Sequence, residues 1–305
     1  MNIATREAYG AALKELAANE KVVVLDADLA KATKSIEFKN VAPERFFDMG
    51  IAEADMIGTA AGLASCGKIP FATTFAMFGA GRAFEQIRNS VAYPNLNVKV
   101  AVTHAGVTVG EDGGSHQAIE DISLMRSIPN MVVLNPSDAV EAKKAVYAAV
   151  DYYGPVYIRF GRAATPVIHS ENYEFKIGKG EVLREGNDVL IIATGIMVSK
   201  ALEAAEELSK ENIEATVVNI STIKPLDADL IVSLAKKIGR VVTAEEHSII
   251  GGLGSSVAEL LSEENPTRLK RVGIKDVFGQ SGTPDDLLEY YGLTSRHIVE
   301  AVKSI

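Results

Sequence analysis

Five apolar runs constrain this chain most: VVVLD (22–26), IPFAT (69–73), NVKVAVTH (97–104), MVVL (131–134) and VYIRF (156–160). They are rich in β-branched residues and do not alternate apolar with polar. A strand of that kind is stable only when both of its faces are covered. Stretches with helical spacing lie between the runs, over about residues 2–19, 52–66, 79–92 and 137–151, with a short helix near 118–127. The expectation is a parallel sheet between two layers of helices, with RFF (45–47) as a further short strand. Ser137 reads as the N-cap of the 137–151 helix, with Glu141 in its first turn.

Residues 163–187 break this rhythm with Pro, Gly and charge, and read as a linker carrying a short hairpin. The alternation then restarts, with strands at 189–194, 214–220, 240–245 and 269–274 and helices at about 197–210, 227–236 and 253–263, before terminal helices. The fold class is therefore α/β: two doubly wound domains with mainly parallel sheets, 1–162 and 188–305, joined by the 163–187 linker. A length of 305 residues suits two domains of ordinary size.

Charge and composition exclude several functions. A net charge of -9 argues against nucleic acid, whose recognition relies on clustered Lys and Arg. No stretch approaches the ~20 apolar residues of a membrane helix. The N-terminal MNIATREAYGAALKEL reads as an amphipathic helix rather than a targeting peptide, so a cytoplasmic protein is expected. Cys66 is the only cysteine, which rules out an internal disulfide, and its small neighbours suggest burial.

Four stretches carry chemistry. In FFDMGIAEADMIGTAAGLASCG (46–67), Glu53 enters a helix whose Gly58, Ala61, Gly62 and Ala64 leave room for another backbone. An acid at a helix N-terminus gains roughly 0.3–1 kcal/mol from the dipole, which would suffice to explain it. A close, intersubunit packing would instead desolvate it, raise its pKa and fit it to hold a proton for a cofactor. In ATTFAMFGAGRAFEQIR (72–88), Phe75, Phe78 and Phe84 serve as core, or present a ring face to a planar ligand beyond a strand end.

THAGVTVGEDGGSHQAIED (103–121) places His104 and His116 around a Gly-rich loop with Glu111 and Asp112. The spacing matches no zinc pattern, so acid–base work and hydroxyl recognition are the better reading, with no metal ligands assigned. Arg159 and Arg162 follow a strand end and suit bidentate phosphate binding, with Arg6 a weaker candidate. IIGGLGSS (249–256) is similar to a dinucleotide loop but lacks its third glycine, and reads as tight packing at a helix start.

Together with IATREAYGAAL, VVLDADLA, GVTVGEDGGSHQAIEDISLMRSIPNM and FGQSGTPDDLLEYYGL, these motifs resemble the C-terminal half of transketolase over nearly the whole chain. The resemblance is closest to the C-terminal subunit of transketolases made as two chains. It implies a pyrimidine-binding domain followed by the transketolase C-terminal domain. It also implies thiamine diphosphate, bound jointly with a partner whose diphosphate-binding domain holds most of the Mg²⁺ shell. That domain carries a G-D-G motif, which is absent here, so an N-terminal transketolase subunit and a 2+2 heterotetramer with a homodimer contact are expected.

The resemblance makes Glu53 the partner of the aminopyrimidine, Phe75 and Phe78 the aromatics packed on it, and Asp28 an acid near the cofactor. His104 and Asp112 correspond to groups that recognise sugar hydroxyls, and His116 to a histidine beside the reacting carbon. Arg162 and Arg6 correspond to the pair that grips the sugar phosphate. The activity implied is transfer of a two-carbon ketol unit between sugar phosphates. Deoxyxylulose phosphate synthase and 2-oxoacid dehydrogenase beta subunits share the framework and stand as alternatives, though Phe78 replaces the arginine expected in the synthase. A non-catalytic cofactor-binding partner is a third reading. Two positions depart from the one-chain pattern: Gly81 replaces a third aromatic, and Ala32 falls where a phosphate-binding serine is expected, with Thr33 or Ser35 as possible substitutes.

Overall fold

The computed structural model describes residues 1–305. The first unit comprises β1 (Asn2–Ala4), α1 (Thr5–Leu16), β2 (Val22–Asp26), α2 (Ala30–Thr33), α3 (Ile36–Lys39), β3 (Phe46–Asp48), α4 (Glu53–Ser65), β4 (Ile69–Phe75), α5 (Phe84–Gln86), β5 (Lys99–Thr103), α6 (Asp121–Arg126), β6 (Val132–Leu134), α7 (Ala139–Asp151) and β7 (Val156–Arg159). After β8 (Ala164–Pro166), the second contains β9 (Glu181–Arg184), β10 (Val189–Ala193), α8 (Met197–Ser209), β11 (Ala215–Asn219), β12 (Thr222–Lys224), α9 (Ala228–Ile238), β13 (Arg240–Ser248), α10 (Leu253–Glu264), β14 (Arg268–Ile274), α11 (Pro284–Tyr290) and α12 (Ser295–Lys303).

The first sheet has seven strands in the order β12-β6-β7-β5-β4-β2-β3. All neighbours are parallel except β12, which comes from the second unit and runs antiparallel to β6. The second sheet is β14-β13-β10-β11-β9, parallel except for β9. Every residue of β2, β4, β5, β7, β10 and β11 is buried, as strands apolar on both faces require. One apolar cluster runs from Ile57 and Val102 to Ile192, Val218 and Leu261, so the two units share a core.

Several local expectations are corrected. The linker forms no hairpin: β8 makes a separate two-stranded sheet with β1, while β9 takes the free edge of β11, so each short strand finds a partner other than its neighbour in sequence. The N-cap of α7 is Asp138, whose side chain accepts from the Glu141 amide at 2.8 Å. Ser137 instead donates its hydroxyl and its amide to the Glu141 carboxylate, each at 2.7 Å. The expected helix over 79–92 is two π-helical turns, Met77–Arg82 and Ile87–Ala92, flanking α5. Such turns carry one extra residue per bond and recur at functional sites.

Cys66 is exposed, not buried, because it lies on the outer side of α4. Gly58 and Gly62 share that side, and no element of this chain comes within 4 Å of where their Cβ atoms would stand. No helix is long and apolar enough to cross a membrane.

Candidate active site

β4 and β5 lie side by side with Phe75 opposite Thr103, so their carboxyl ends bring Phe75 and His104 together. The two rings stack with centroids 3.9 Å apart at 25°. His104 adopts a left-handed backbone with φ 57°, an unusual conformation for a residue with a Cβ and one that collects at functional sites. Its Nε2 accepts from Arg6 Nη1 at 3.1 Å, since a guanidinium can only donate. Nδ1 therefore carries the proton and donates to Thr103 Oγ1 at 2.8 Å. Burial, followed by the charges of Arg6 and Arg162 and the nearby His116, pushes the His104 pKa down to about 3. The ring is neutral at physiological pH.

Phe78 lies 6.1 Å from Phe75 in near-parallel orientation. The half-buried His116 presents its ring edge-on to Phe78, with centroids 5.2 Å apart at 76°, and contacts Ser115 Oγ through Nδ1 at 3.0 Å. Arg162, three residues beyond β7, donates to the Val109 carbonyl and reaches Glu111 at 3.4 Å. Arg6 Nη1 also donates to the Ala32 carbonyl at 3.0 Å, while its buried Nε has no partner. Burial lowers the Arg6 pKa, and the Arg162 charge lowers it further against the opposing pull of Glu7. Two guanidiniums that repel each other, one with an orphaned N–H, form a site suited to an anion.

Glu53 starts α4 and is 1% exposed. The desolvation expected from sequence is present, but the carboxylate has a cation: Arg82 Nη1 donates to Oε2 at 2.7 Å. The same guanidinium lies 4.7 Å from the centroid of the Phe78 ring. Sequence reading missed Arg82. Its spacing of four from Phe78 on a helical stretch was the available signal.

The remaining candidates separate. Asp28 is exposed two residues beyond β2, in a left-handed turn with φ 60°. Asp112 is exposed, and no hydrogen bond or ion pair ties it to either histidine. Thr33 and Ser35 cannot replace the missing phosphate-binding serine: both are fully buried and donate to Asp26 Oδ2 at 2.9 and 2.8 Å. Arg159 is likewise not an anion ligand. It is buried, with Nε on Asp121 at 2.8 Å and Nη2 on the Glu246 carbonyl at 2.9 Å.

The Gly-rich loop is shaped by the second unit. Glu246 Oε1 accepts from the Thr108 amide at 2.7 Å, and Gln117 Nε2 donates to the Gln280 carbonyl at 2.9 Å. Ser281 donates to the Glu111 carbonyl at 3.1 Å. At 249–256 no dinucleotide could bind as in a Gly-rich loop, because the Glu245 carboxylate already takes the Leu253 and Gly254 amides at 2.7 and 2.8 Å.

The residues fit part of a cofactor site. A buried carboxylate at a helix start, next to the parallel pair Phe75 and Phe78, suits a flat ring with N–H donors on its edge. No group of three or more His, Cys, Asp or Glu side chains is placed to hold a metal ion.

Fold and site thus define a class: a two-unit α/β protein whose aromatic and cationic site lies at the carboxyl ends of parallel strands. The first unit matches the family model "Transketolase, pyrimidine binding domain" over residues 1–167, and the second matches "Transketolase, C-terminal domain" over 178–298. The chain belongs to the transketolase family, which is thiamine diphosphate dependent.

Three relatives are close. A solved structure described as a split-gene transketolase, inactive beta4 tetramer, superposes with a TM-score of 0.93 at 58% identity, covering 99% of this chain and 98% of that one. A Methanocaldococcus jannaschii protein provisionally named as a transketolase C-terminal section is 51% identical, covering 97% of this chain and 94% of the relative. The 6-deoxy-6-sulfo-D-fructose transketolase subunit SqwH of Clostridium sp. (strain MSTE9) is 47% identical, covering 98% and 94%.

Proposed function

We propose that this chain is the C-terminal subunit of a two-chain, cytoplasmic transketolase. It moves a two-carbon ketol unit from a ketose phosphate, such as xylulose 5-phosphate or sedoheptulose 7-phosphate, to an aldose phosphate, such as ribose 5-phosphate or glyceraldehyde 3-phosphate. The observation that carries this reading is the convergence of Glu53, Phe75, Phe78, His104, His116, Arg6 and Arg162 at one end of the first sheet. Thiamine diphosphate, when bound, supplies the electron sink for carbon–carbon cleavage. A partner chain would bring the diphosphate-binding domain and most ligands for Mg²⁺.

In this reading Glu53 accepts a hydrogen bond from the pyrimidine ring and holds its proton balance, while Phe75 and Phe78 pack on the ring. Arg6 and Arg162 bind the terminal anion of the sugar. His104, neutral and fixed in its Nδ1–H tautomer by Thr103, recognises a substrate hydroxyl through Nε2 once Arg6 turns from it to the sugar's anion, with Asp112 beside it once the sugar is seated. His116, open to the site, exchanges a proton at the substrate oxygen. Asp28 borders the cofactor. The outer face of α4, with Gly58 and Gly62, meets a second chain, giving a 2+2 heterotetramer.

The test combines the chain with a diphosphate-binding partner, thiamine diphosphate and Mg²⁺. Glycolaldehyde transfer from xylulose 5-phosphate to ribose 5-phosphate is expected with both chains and not with this chain alone. Absence of transfer with both would overturn the reading. Glu53→Ala should lower turnover by roughly 10²–10⁴; a loss below about threefold returns Glu53 to a helix-dipole role.

A second donor class follows from the 47% identical sulfofructose relative. With Thr33 and Ser35 committed to Asp26, the anion site depends on two arginines rather than on hydroxyls. Guanidinium accommodates a sulfonate as well as a phosphate. Side-by-side kcat/KM values for fructose 6-phosphate and 6-deoxy-6-sulfofructose decide which donor is preferred.

A further inference from the structure

We propose that the Arg82 guanidinium occupies the place the cofactor's aminopyrimidine takes against Glu53 and Phe78, so that thiamine diphosphate binds by displacing it. This rests on the reading of Glu53 as the pyrimidine's partner and adds a competitor built into the same chain.

The argument begins with what Arg82 touches. It donates to the buried carboxylate of Glu53 at 2.7 Å, and it lies over the ring of Phe78 at 4.7 Å. These are the two contacts a flat aminopyrimidine needs: an acceptor for an edge N–H and an aromatic face to pack on. A guanidinium is also flat, also carries N–H donors on its edge, and also packs on aromatic rings. Glu53 keeps a second oxygen, but two flat groups cannot lie in the same space over the Phe78 face beside its Oε2. Occupation by Arg82 and occupation by the pyrimidine are therefore alternatives.

The pair is lopsided, and this decides which partner moves. Glu53 is 1% exposed and fixed in the first turn of α4, whereas the Arg82 side chain is 49% exposed. One hydrogen bond holds the guanidinium, with no second acceptor on Nε or Nη2. Arg82 ends the π-helical turn Met77–Arg82, and its long side chain can swing into water without moving the backbone. Glu53 cannot follow it. A carboxylate buried without a partner is strongly disfavoured, so Arg82 leaves only as another donor arrives. The pair keeps the cofactor face of α4 from standing as an uncompensated charge, at the expense of apparent cofactor affinity.

The test is calorimetric titration of thiamine diphosphate, with Mg²⁺, into the complex of this chain and its diphosphate-binding partner. Arg82→Met keeps the apolar stem and removes the competitor. The apparent Kd should fall threefold or more, with Arg82→Lys intermediate. An unchanged Kd means Arg82 does not compete, and a higher Kd means it stays with the bound ring; either overturns the proposal. Arg82→Met leaves Glu53 without a cation, so a measurement on the unaltered protein guards against misfolding. Labelling by p-hydroxyphenylglyoxal, read by peptide mass, should rise at least threefold at Arg82 when thiamine diphosphate is added. Unchanged or reduced labelling overturns the proposal as well. Glu53→Gln separates the underlying reading: a Kd raised tenfold or more supports Glu53 as the pyrimidine's partner, whereas an unchanged Kd removes that reading whatever Arg82 does.

Discussion

His104 is held neutral by its surroundings. Phe75 covers its face, Arg6 fills Nε2 and Thr103 takes the Nδ1 proton. Burial disfavours a charged ring, and a second proton would also place a cation against Arg6, so the pKa falls to about 3. Acid–base work and hydroxyl recognition are both open to His104 from its sequence context; a neutral ring favours recognition, through the Nε2 that Arg6 frees when it turns to the sugar's anion. His104→Gln keeps a polar end of similar reach and should raise the donor KM about tenfold. The shape of the kcat/KM profile between pH 6 and 8.5 should not change, because no titration of His104 falls in that window. An acid limb that moves by more than half a pH unit in the variant would show that His104 gains and loses a proton after all. The same balance costs stability in acid. With the folded pKa below the ordinary 6.5, the unfolded chain binds more protons between about pH 3 and 6.5, so this residue disfavours the fold as pH falls through that range.

At the scale of elements, the loop between β5 and α6 takes its shape from a strand far away in the sequence. Gly106 has φ 80°, and a Cβ there would collide with the carboxylate of Glu246 on β13. Glu246 is fully buried and binds the Thr108 amide two residues on. Gly106→Ala therefore combines backbone strain with loss of the Glu246 contact and should destabilise the protein by about 2–4 kcal/mol. The urea midpoint reports this, and a midpoint unchanged within error would mean the loop is not seated on Glu246. The example also shows what was readable in advance. The strands were legible because their apolar runs leave no polar face, and Gly106 lay in a loop legible as a Gly-rich turn. Its partner was not, since 138 residues separate Thr108 from Glu246. β9 and β12 escaped for a related reason: three or four residues carry no periodicity, and a strand edge elsewhere decides where they pair. Arg82 differs, because its spacing from Phe78 was readable but nothing local linked it to Glu53, 29 residues earlier.

At the scale of the molecule, the two units are fastened by a buried polar knot around His169, on the segment between them. Its Nδ1 meets Asp138 at 3.0 Å and its Nε2 meets Glu181 at 2.9 Å, which joins the start of α7 to β9. Tyr173 packs against the imidazole at 4.1 Å and donates to Glu141, which also accepts from Asn219 on β11. Burial alone would depress the His169 pKa. The hydrogen bond to Asp138 and the charges of Glu141, Asp138 and Glu181 outweigh it and push the pKa up to about 9. The folded state thus holds this proton more tightly than the unfolded chain, whose value is near 6.5. The contribution is complete below pH 6.5, shrinks as pH rises towards 9 and vanishes above it. Between pH 7 and 10 the loss amounts to about 2–3 kcal/mol at 1.36 kcal/mol per pKa unit. Lys99 works in the opposite sense over the same range, because burial lowers its pKa to about 7 and the unfolded chain then binds the extra proton. A raw pH–stability curve would mix the two, so the comparison must be with His169→Gln. Urea unfolding at pH 7 and pH 10 should show the wild-type chain losing about 2–3 kcal/mol more than the variant. Equal losses would mean that His169 is not charged in the fold, and that neutral hydrogen bonds join the two units there.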